Sequence, residues 1–83
     1  MNVAIFRGRP AGEIAVVGLG RSGRSVAELL ARDGHRVYAS DAGASAAVQG
    51  AAEVLAARGV DVQLGGHDLG RVARAALVVA SPG

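Results

Sequence analysis

The chain of 83 residues has no cysteine, no lysine and no tryptophan, and its aromatic residues are one phenylalanine and one tyrosine. Without cysteine it can form neither a disulfide framework nor a thiolate metal site. Without lysine it cannot contain the phosphate-binding loop G-x-x-x-x-G-K-[ST]. No apolar run approaches the roughly 18 residues of a membrane span, so we expect a soluble, cytoplasmic protein without membrane contacts.

The chain also carries little net charge. Nine arginines against seven acidic residues leave a net charge of +2. The arginines are scattered, and no aromatic residues lie between them to stack on bases, so we expect no nucleic-acid partner. The two histidines, His35 and His67, are too far apart in sequence to indicate a metal site, and we expect structural roles for both.

Apolar runs alternate with stretches of helical periodicity from residue 13 onward. The patterns predict strands over residues 13–17, 36–40, 60–64 and 76–80, and helices over residues 22–33, 46–58 and 69–74. Gly34 and Gly59 are expected to end the first two helices, and Asp68 is expected to cap the third. Residues 1–12 read as a leader, in which Val3–Phe6 can pair on a sheet edge or form a loosely docked arm.

This alternation predicts one α/β domain over residues 13–83. Strands joined by helical crossovers form a parallel sheet, here a Rossmann-like, doubly wound one. The expected strand order is 3-2-1-4, with a ligand at the switch between the first and fourth strands. A complete sheet of this type has about six strands, so we expect the domain to be truncated.

A glycine cluster gives the domain its first functional signal. Residues 18–23 read Gly-Leu-Gly-Arg-Ser-Gly, the pattern G-x-G-x-x-G, directly between a predicted strand and a predicted helix. In this context Gly18 allows a tight turn, Gly20 lets the backbone approach a diphosphate, and Gly23 lets the helix pack close to the sheet. The helix start offers free N–H groups to an anion, so the motif predicts nucleotide binding.

Three side chains are further candidates for this site. Arg21 can pair with a phosphate or stay solvated, and Ser22 can contact a phosphate or serve as a polar residue at the helix start. Asp41 follows Gly23 by 18 residues, where a dinucleotide fold places an acid for the ribose hydroxyls; it can instead begin a turn at Ala42-Gly43. No pairing of a nucleophile with a base is visible, so we expect no catalytic residue.

Three segments carry a resemblance to a known family. They are residues 16–23 (Val-Val-Gly-Leu-Gly-Arg-Ser-Gly), Ser40-Asp41, and Gly66-His67 followed by residues 78–83 (Val-Val-Ala-Ser-Pro-Gly). In this order they resemble the N-terminal domain of the Mur ligases of peptidoglycan synthesis, most of all the members that add D-glutamate. The final Ser-Pro-Gly after a Gly-His loop is the most specific element.

The resemblance implies that the domain holds the UDP part of UDP-N-acetylmuramoyl-L-alanine. The positions that match the family's contacts with UDP are Gly18, Gly20, Arg21, Ser22, Gly23, Asp41, Ala42, Ser81 and Gly83. By this resemblance Arg21, Ser22 and the backbone from Gly20 to Gly23 face the diphosphate. Asp41 and the backbone of Ala42 meet the uracil, and Ser81 and Gly83 line the opposite wall. Gly43 stands where some relatives carry a longer polar residue, so we expect no stacking on the uracil from that position.

The resemblance also implies what the rest of such an enzyme does. ATP and Mg²⁺ activate the L-alanine carboxylate as an acyl phosphate, and the amine of D-glutamate then displaces phosphate. The family places those sites in central and C-terminal domains, so we expect this chain to bind no cofactor and to be inactive by itself. Two alternatives remain open from the residues: an NAD-binding module of a dehydrogenase or regulatory sensor, and a small domain that only packs against partner subunits.

Overall fold

The computed structural model describes residues 12–80 of the chain. The elements in chain order are β1 (Ile14–Val17), α1 (Arg21–Arg32), β2 (Val37–Asp41), α2 (Ala46–Ala57), β3 (Asp61–Leu64), α3 (Leu69–Arg74) and β4 (Leu77–Ala80). The predicted alternation is confirmed, and each observed end lies within one residue of the predicted one. The predicted leader (except Gly12), Ser81 and Gly83 lie outside the described residues.

The four strands form one parallel sheet in the order β3-β2-β1-β4. This is the predicted order 3-2-1-4 of a Rossmann-like α/β sheet. β1 is central, with Ile14 opposite Val37 of β2 and opposite Leu77 of β4. Its position between two strands explains its unbroken apolar sequence, because Ile14, Ala15 and Val16 have no exposed surface. The order brings the carboxyl ends of β1, β2 and β4 to one edge.

One face of the sheet carries the hydrophobic core, against which α1 and α2 pack. Side chains alternate between the faces of a strand, so every second residue of β1 and β2 contributes to this core. Its buried members include Ile14, Val16, Val26, Ala27, Val37, Ala39, Leu55 and Val79. Most are small or β-branched, which lets the two helices approach the sheet closely. None of the helices in residues 12–80 is long and apolar enough to cross a membrane.

The opposite face carries α3, which is held to it by one arginine. The Arg71 guanidinium donates from Nε and Nη2 to the two carboxylate oxygens of Glu13 at 2.7 Å each, and from Nη1 to Asp61 Oδ2 at 2.6 Å. It also lies over the ring of Tyr38, 4.4 Å from the ring centre. Because of these partners, the pKa of Arg71 is raised and that of Glu13 is lowered. Arg71 thus joins α3 to β2, to β3 and to the residue directly before β1.

Candidate nucleotide-binding site

The turn between β1 and α1 depends on two glycines. Gly18 has a φ of +96°, a value that other residues rarely adopt. Its N–H donates to the carbonyl oxygen of Ser40 in β2 at 2.8 Å. A Cβ atom on Gly23 would lie 1.8 Å from the carbonyl oxygen of Gly18. The tight turn and the close approach of helix to strand, which the sequence predicts at these positions, are both present.

The first turn of α1 has no capping side chain. Gly20 is the N-cap residue, and no side chain within residues 12–80 accepts a hydrogen bond there. By contrast, Ser45 Oγ accepts from the first turn of α2, and Asp68 Oδ1 accepts from the first turn of α3. Beyond its chain neighbours, nothing lies within 4 Å of the place a Cβ on Gly20 would occupy. The backbone N–H groups here are therefore open to an anion.

Two arginines add positive charge at the same helix end. The first turn of α1 contains no acidic residue. Arg21 and Arg24 line a recess of about 260 Å³ between α1 and α2, and in the described part of the chain neither forms an ion pair. The N-terminus of a helix is itself positive, so cations here destabilise the helix by a few tenths of a kcal/mol or more. A bound anion would reverse that effect.

An open cleft of about 420 Å³ lies at the edge where β1, β2 and β4 end. It is the switch point at which sheets of this order bind ligands. Residues around it include Gly18, Gly20, Asp41, Ala42, His67 and Ala80.

The structure therefore brings four of the predicted site residues together around one cleft, with Arg21 in the adjoining recess. Ser22 and Gly23 lie in the first turn of α1. Ser81 and Gly83 lie outside the described residues, so the opposite wall stays a prediction. In the part of the chain that the structure describes, no three His, Cys, Asp or Glu side chains are grouped closely enough to hold a metal ion.

Asp41 accepts hydrogen bonds from the backbone of two separate segments. Its Oδ2 accepts from the N–H of Leu19 at 2.7 Å, and its Oδ1 accepts from the N–H of Gly43 at 2.8 Å. These two donors lower the pKa of Asp41, with the N–H of Leu19 as the largest cause. The turn-forming interpretation of Asp41 is thus correct. Its predicted contact with a ligand stays a prediction, and it would use lone pairs that the two N–H groups leave free.

One polar pair beside this cleft was not predicted from the sequence. Ser40 is fully buried, and its Oγ lies 2.7 Å from Nδ1 of His67. The structural role expected for His67 is therefore present, but the same residue also lines the cleft. A signal for the pair exists in the sequence, because a buried serine needs a hydrogen-bond partner and Gly66-His67 follows the neighbouring strand.

Comparisons with known proteins agree with this geometry. Residues 12–83 match the model of the family described as "Mur ligase MurD-like, N-terminal domain". The UDP-N-acetylmuramoylalanine--D-glutamate ligase of Anaeromyxobacter dehalogenans is 49% identical over 70 residues, which are 84% of this chain and 15% of the relative. The enzyme of the same name from Nitratidesulfovibrio vulgaris is 45% identical over 78 residues, 93% of this chain and 18% of the relative.

A third ligase of that name, from Frankia casuarinae, is 49% identical over 70 residues, which cover 84% of this chain and 15% of the relative. The chain thus spans less than a fifth of the length of these relatives. No solved structure matches the chain. With the family model covering the whole predicted domain and the relatives sharing one name, the chain belongs to the family of MurD-like N-terminal domains of the Mur ligases.

Proposed function

We propose that this domain binds the UDP part of UDP-N-acetylmuramoyl-L-alanine in the cleft at the carboxyl ends of β1, β2 and β4. The observation that carries the proposal is the uncapped start of α1, where Gly20 leaves the backbone N–H groups open beside the cleft. A diphosphate supplies the acceptors that these groups lack. The relatives are named for a substrate that carries UDP, which makes a diphosphate the natural anion.

The charges at the cleft support a doubly anionic ligand. Arg21 and Arg24 stand at the positive end of α1 without acidic partners among residues 12–80. Arg21, the hydroxyl of Ser22 and the N–H groups from Gly20 to Gly23 would bind the diphosphate. These groups carry no catalytic chemistry, so we assign the domain to substrate binding alone.

In this proposal the uridine end of the ligand lies beside the carboxyl end of β2. Asp41 and the backbone of Ala42 would meet the uracil, and Ser81 with Gly83 would form the opposite wall. The alternative of NAD binding relied on Asp41 as an acceptor for the ribose hydroxyls. Each of its oxygens accepts one backbone N–H and keeps a lone pair, so Asp41 by itself favours neither ligand. Membership of the ligase family favours UDP over NAD.

The proposal extends to a larger enzyme that contains this domain. We infer that the domain works in a D-glutamate-adding ligase of bacterial peptidoglycan synthesis, in the cytoplasm. Its partners would then be the central and C-terminal domains of the same enzyme. ATP and Mg²⁺ would bind to those domains, and cell shape and cell division would depend on the reaction.

A comparison of the affinities for three ligands tests the proposal. The chain is titrated with UDP, with UDP-N-acetylmuramoyl-L-alanine and with NAD by calorimetry, at low and at physiological salt. We expect both uridine ligands to bind more tightly than NAD, and salt to weaken that binding because charge–charge attraction is screened. Tighter binding of NAD than of UDP would overturn the proposal.

A matched pair of variants locates the site. Gly20→Leu adds a side chain to a residue that lines the cleft, where a Cβ meets nothing within 4 Å beyond the chain neighbours, whereas Gly50→Leu adds the same side chain to an exposed position of α2. We expect the first to abolish UDP binding and the second to leave it unchanged. Equal binding by both variants would place UDP elsewhere.

A further inference from the structure

The pair of Ser40 and His67 has a defined proton arrangement. Ser40 has no exposed surface, and its hydroxyl has His67 Nδ1, 2.7 Å away, as its one side-chain partner among the described residues. If Nδ1 carried the proton and donated to Oγ, the buried hydroxyl hydrogen would have to find another acceptor. If the hydroxyl donates to Nδ1, both groups are satisfied. The second arrangement puts the ring proton on Nε2.

Both neighbours of His67 hold its loop in place. Gly66 forms a bridge with Asp41, with its N–H donating to the Asp41 carbonyl oxygen at 3.2 Å. The N–H of Asp68 donates to the hydroxyl of Tyr38 at 2.8 Å. The imidazole is thus fixed by its own bond to Ser40 and by backbone bonds on each side. A side chain so placed is ordered before any ligand arrives.

His67 also borders the cleft, together with Gly18, Gly20 and Asp41. Nδ1 is used by Ser40, and within residues 12–80 Nε2 has no hydrogen-bond partner. A neutral imidazole with its proton on Nε2 is a donor. The groups of a nucleotide that accept such a bond are the phosphate oxygens and the carbonyl oxygens of a pyrimidine.

We propose that His67 is a ligand-contacting residue, which donates its Nε2–H to an oxygen of the bound uridine nucleotide, and that Ser40 is the residue that positions it. The inference rests on the proposed function, because it takes UDP as the ligand. It adds a contact that lies outside the glycine motif and comes from the loop between β3 and α3. It also gives a reason for a buried serine in the strand that ends at Asp41.

Three substitutions of His67 separate a ligand contact from a structural bond. His67→Asn keeps a polar atom near Nδ1 for Ser40 but removes the atom that faces the ligand, whereas His67→Gln keeps a donor near Nε2. His67→Ala removes both. We expect Asn and Ala to weaken UDP binding about tenfold, the size of one hydrogen bond to a charged or carbonyl oxygen, and Gln to recover most of the affinity.

Uridine and UDP distinguish the two kinds of acceptor. If the base carbonyl is the acceptor, His67→Asn weakens uridine and UDP by the same factor. If a phosphate oxygen is the acceptor, the loss is confined to UDP. Either result supports the inference, while unchanged affinity for both ligands in His67→Asn and His67→Ala would overturn it.

Nitrogen NMR of the imidazole tests the role of Ser40 without a ligand. We expect the Nε2-protonated form in the native chain, and added UDP to slow the exchange of that proton with water. Ser40→Ala removes the fixing bond with little change in volume, so we expect it to weaken UDP binding about two- to threefold while cooperative unfolding is retained. A ring protonated at Nδ1 would overturn the inference. If the native chain fails to bind UDP at all, the proposed function itself is wrong.

Discussion

The carboxylate of Asp41 lies 2.7 Å from the backbone nitrogen of Leu19, a residue 22 positions earlier in the chain. This bond joins the last residue of β2 to the second residue of the glycine motif. The second carboxylate oxygen accepts from Gly43, so one side chain orders both the turn between β1 and α1 and the turn after β2. The acid at this position therefore shapes the cleft before any ligand is bound.

Replacing Asp41 with asparagine should destabilise the fold and change its acid response. The amide can accept from only one of the two N–H donors, so we expect the free energy of unfolding to fall by about 1–3 kcal/mol. The pKa of Asp41 is lowered below its ordinary value of 3.8, so the folded state binds fewer protons than the unfolded state. The stability from this group is complete above that value and is lost as pH falls through the lowered pKa.

Urea denaturation between pH 7 and pH 2 measures both effects. Glu13 also has a lowered pKa and contributes its own loss in acid, so the difference between the native and Asp41→Asn curves is the informative quantity. We expect that difference to shrink toward low pH. A constant difference would contradict the role given to Asp41.

Gly23→Ala should disrupt the turn between β1 and α1. The added Cβ would lie 1.8 Å from the carbonyl oxygen of Gly18, and backbone cannot move aside without displacing the strand. We expect a loss of more than about 2 kcal/mol, or no cooperative unfolding at all. Gly50→Ala is the control, because it meets nothing within 4 Å and should stabilise α2 by about 0.5–1 kcal/mol. Thermal unfolding of the two variants should shift in opposite directions.

Arg71→Ala should cost more stability than the loss of an ordinary surface arginine. The variant loses two ion pairs and the stacking on Tyr38, and we expect the free energy of unfolding to fall by about 1–3 kcal/mol. Arg58→Ala is the matched control, because its 3.7 Å pair with Glu28 is half exposed and is worth less than about 0.5 kcal/mol. If urea denaturation gives equal losses of unfolding free energy for the two variants, the contacts of Arg71 do not stabilise the fold more than an ordinary surface pair.

Arg21→Ala should weaken ligand binding without weakening the fold. Removing a cation from the start of α1 should leave stability unchanged or raise it by a few tenths of a kcal/mol, while affinity for UDP falls about three- to tenfold. Arg32 stands in the last turn of the same helix, where a cation is favourable, so Arg32→Ala should lower stability slightly and leave affinity unchanged. Calorimetry measures the affinity of both variants for UDP, and thermal unfolding measures their stability. We expect lower affinity only in Arg21→Ala and lower stability only in Arg32→Ala.

The element order, the strand order and the glycine turn could be predicted because each depends on local pattern. Four short apolar runs separated by helical stretches permit few arrangements, and the spacing of Gly18 and Gly23 fixes the turn between them. Asp68 was likewise identifiable as a cap, since an aspartate directly before a helix has a local partner.

The side-chain contacts between distant elements could not be predicted in the same way. Arg71 reaches Glu13 across 58 residues, and it had been one of several scattered arginines with no visible partner. The choice of partner depends on the register of β2 against β3, which places Asp61 beside Tyr38. Asp41 was ambiguous for a related reason: its bond to Leu19 depends on how closely two loops meet at the sheet edge.

The manner in which α3 is attached bears on the order in which the domain opens. None of the six residues Leu69–Arg74 is buried, so the ion pairs of Arg71 with Glu13 and Asp61 contribute much of the attachment of this helix. Segments with little buried apolar surface are the first to undergo local unfolding. His67 stands just before that segment, so a ligand bound at the imidazole would tie down the least protected part of the domain. Ligand binding would then slow amide hydrogen exchange along α3, a helix that the ligand does not contact in this proposal.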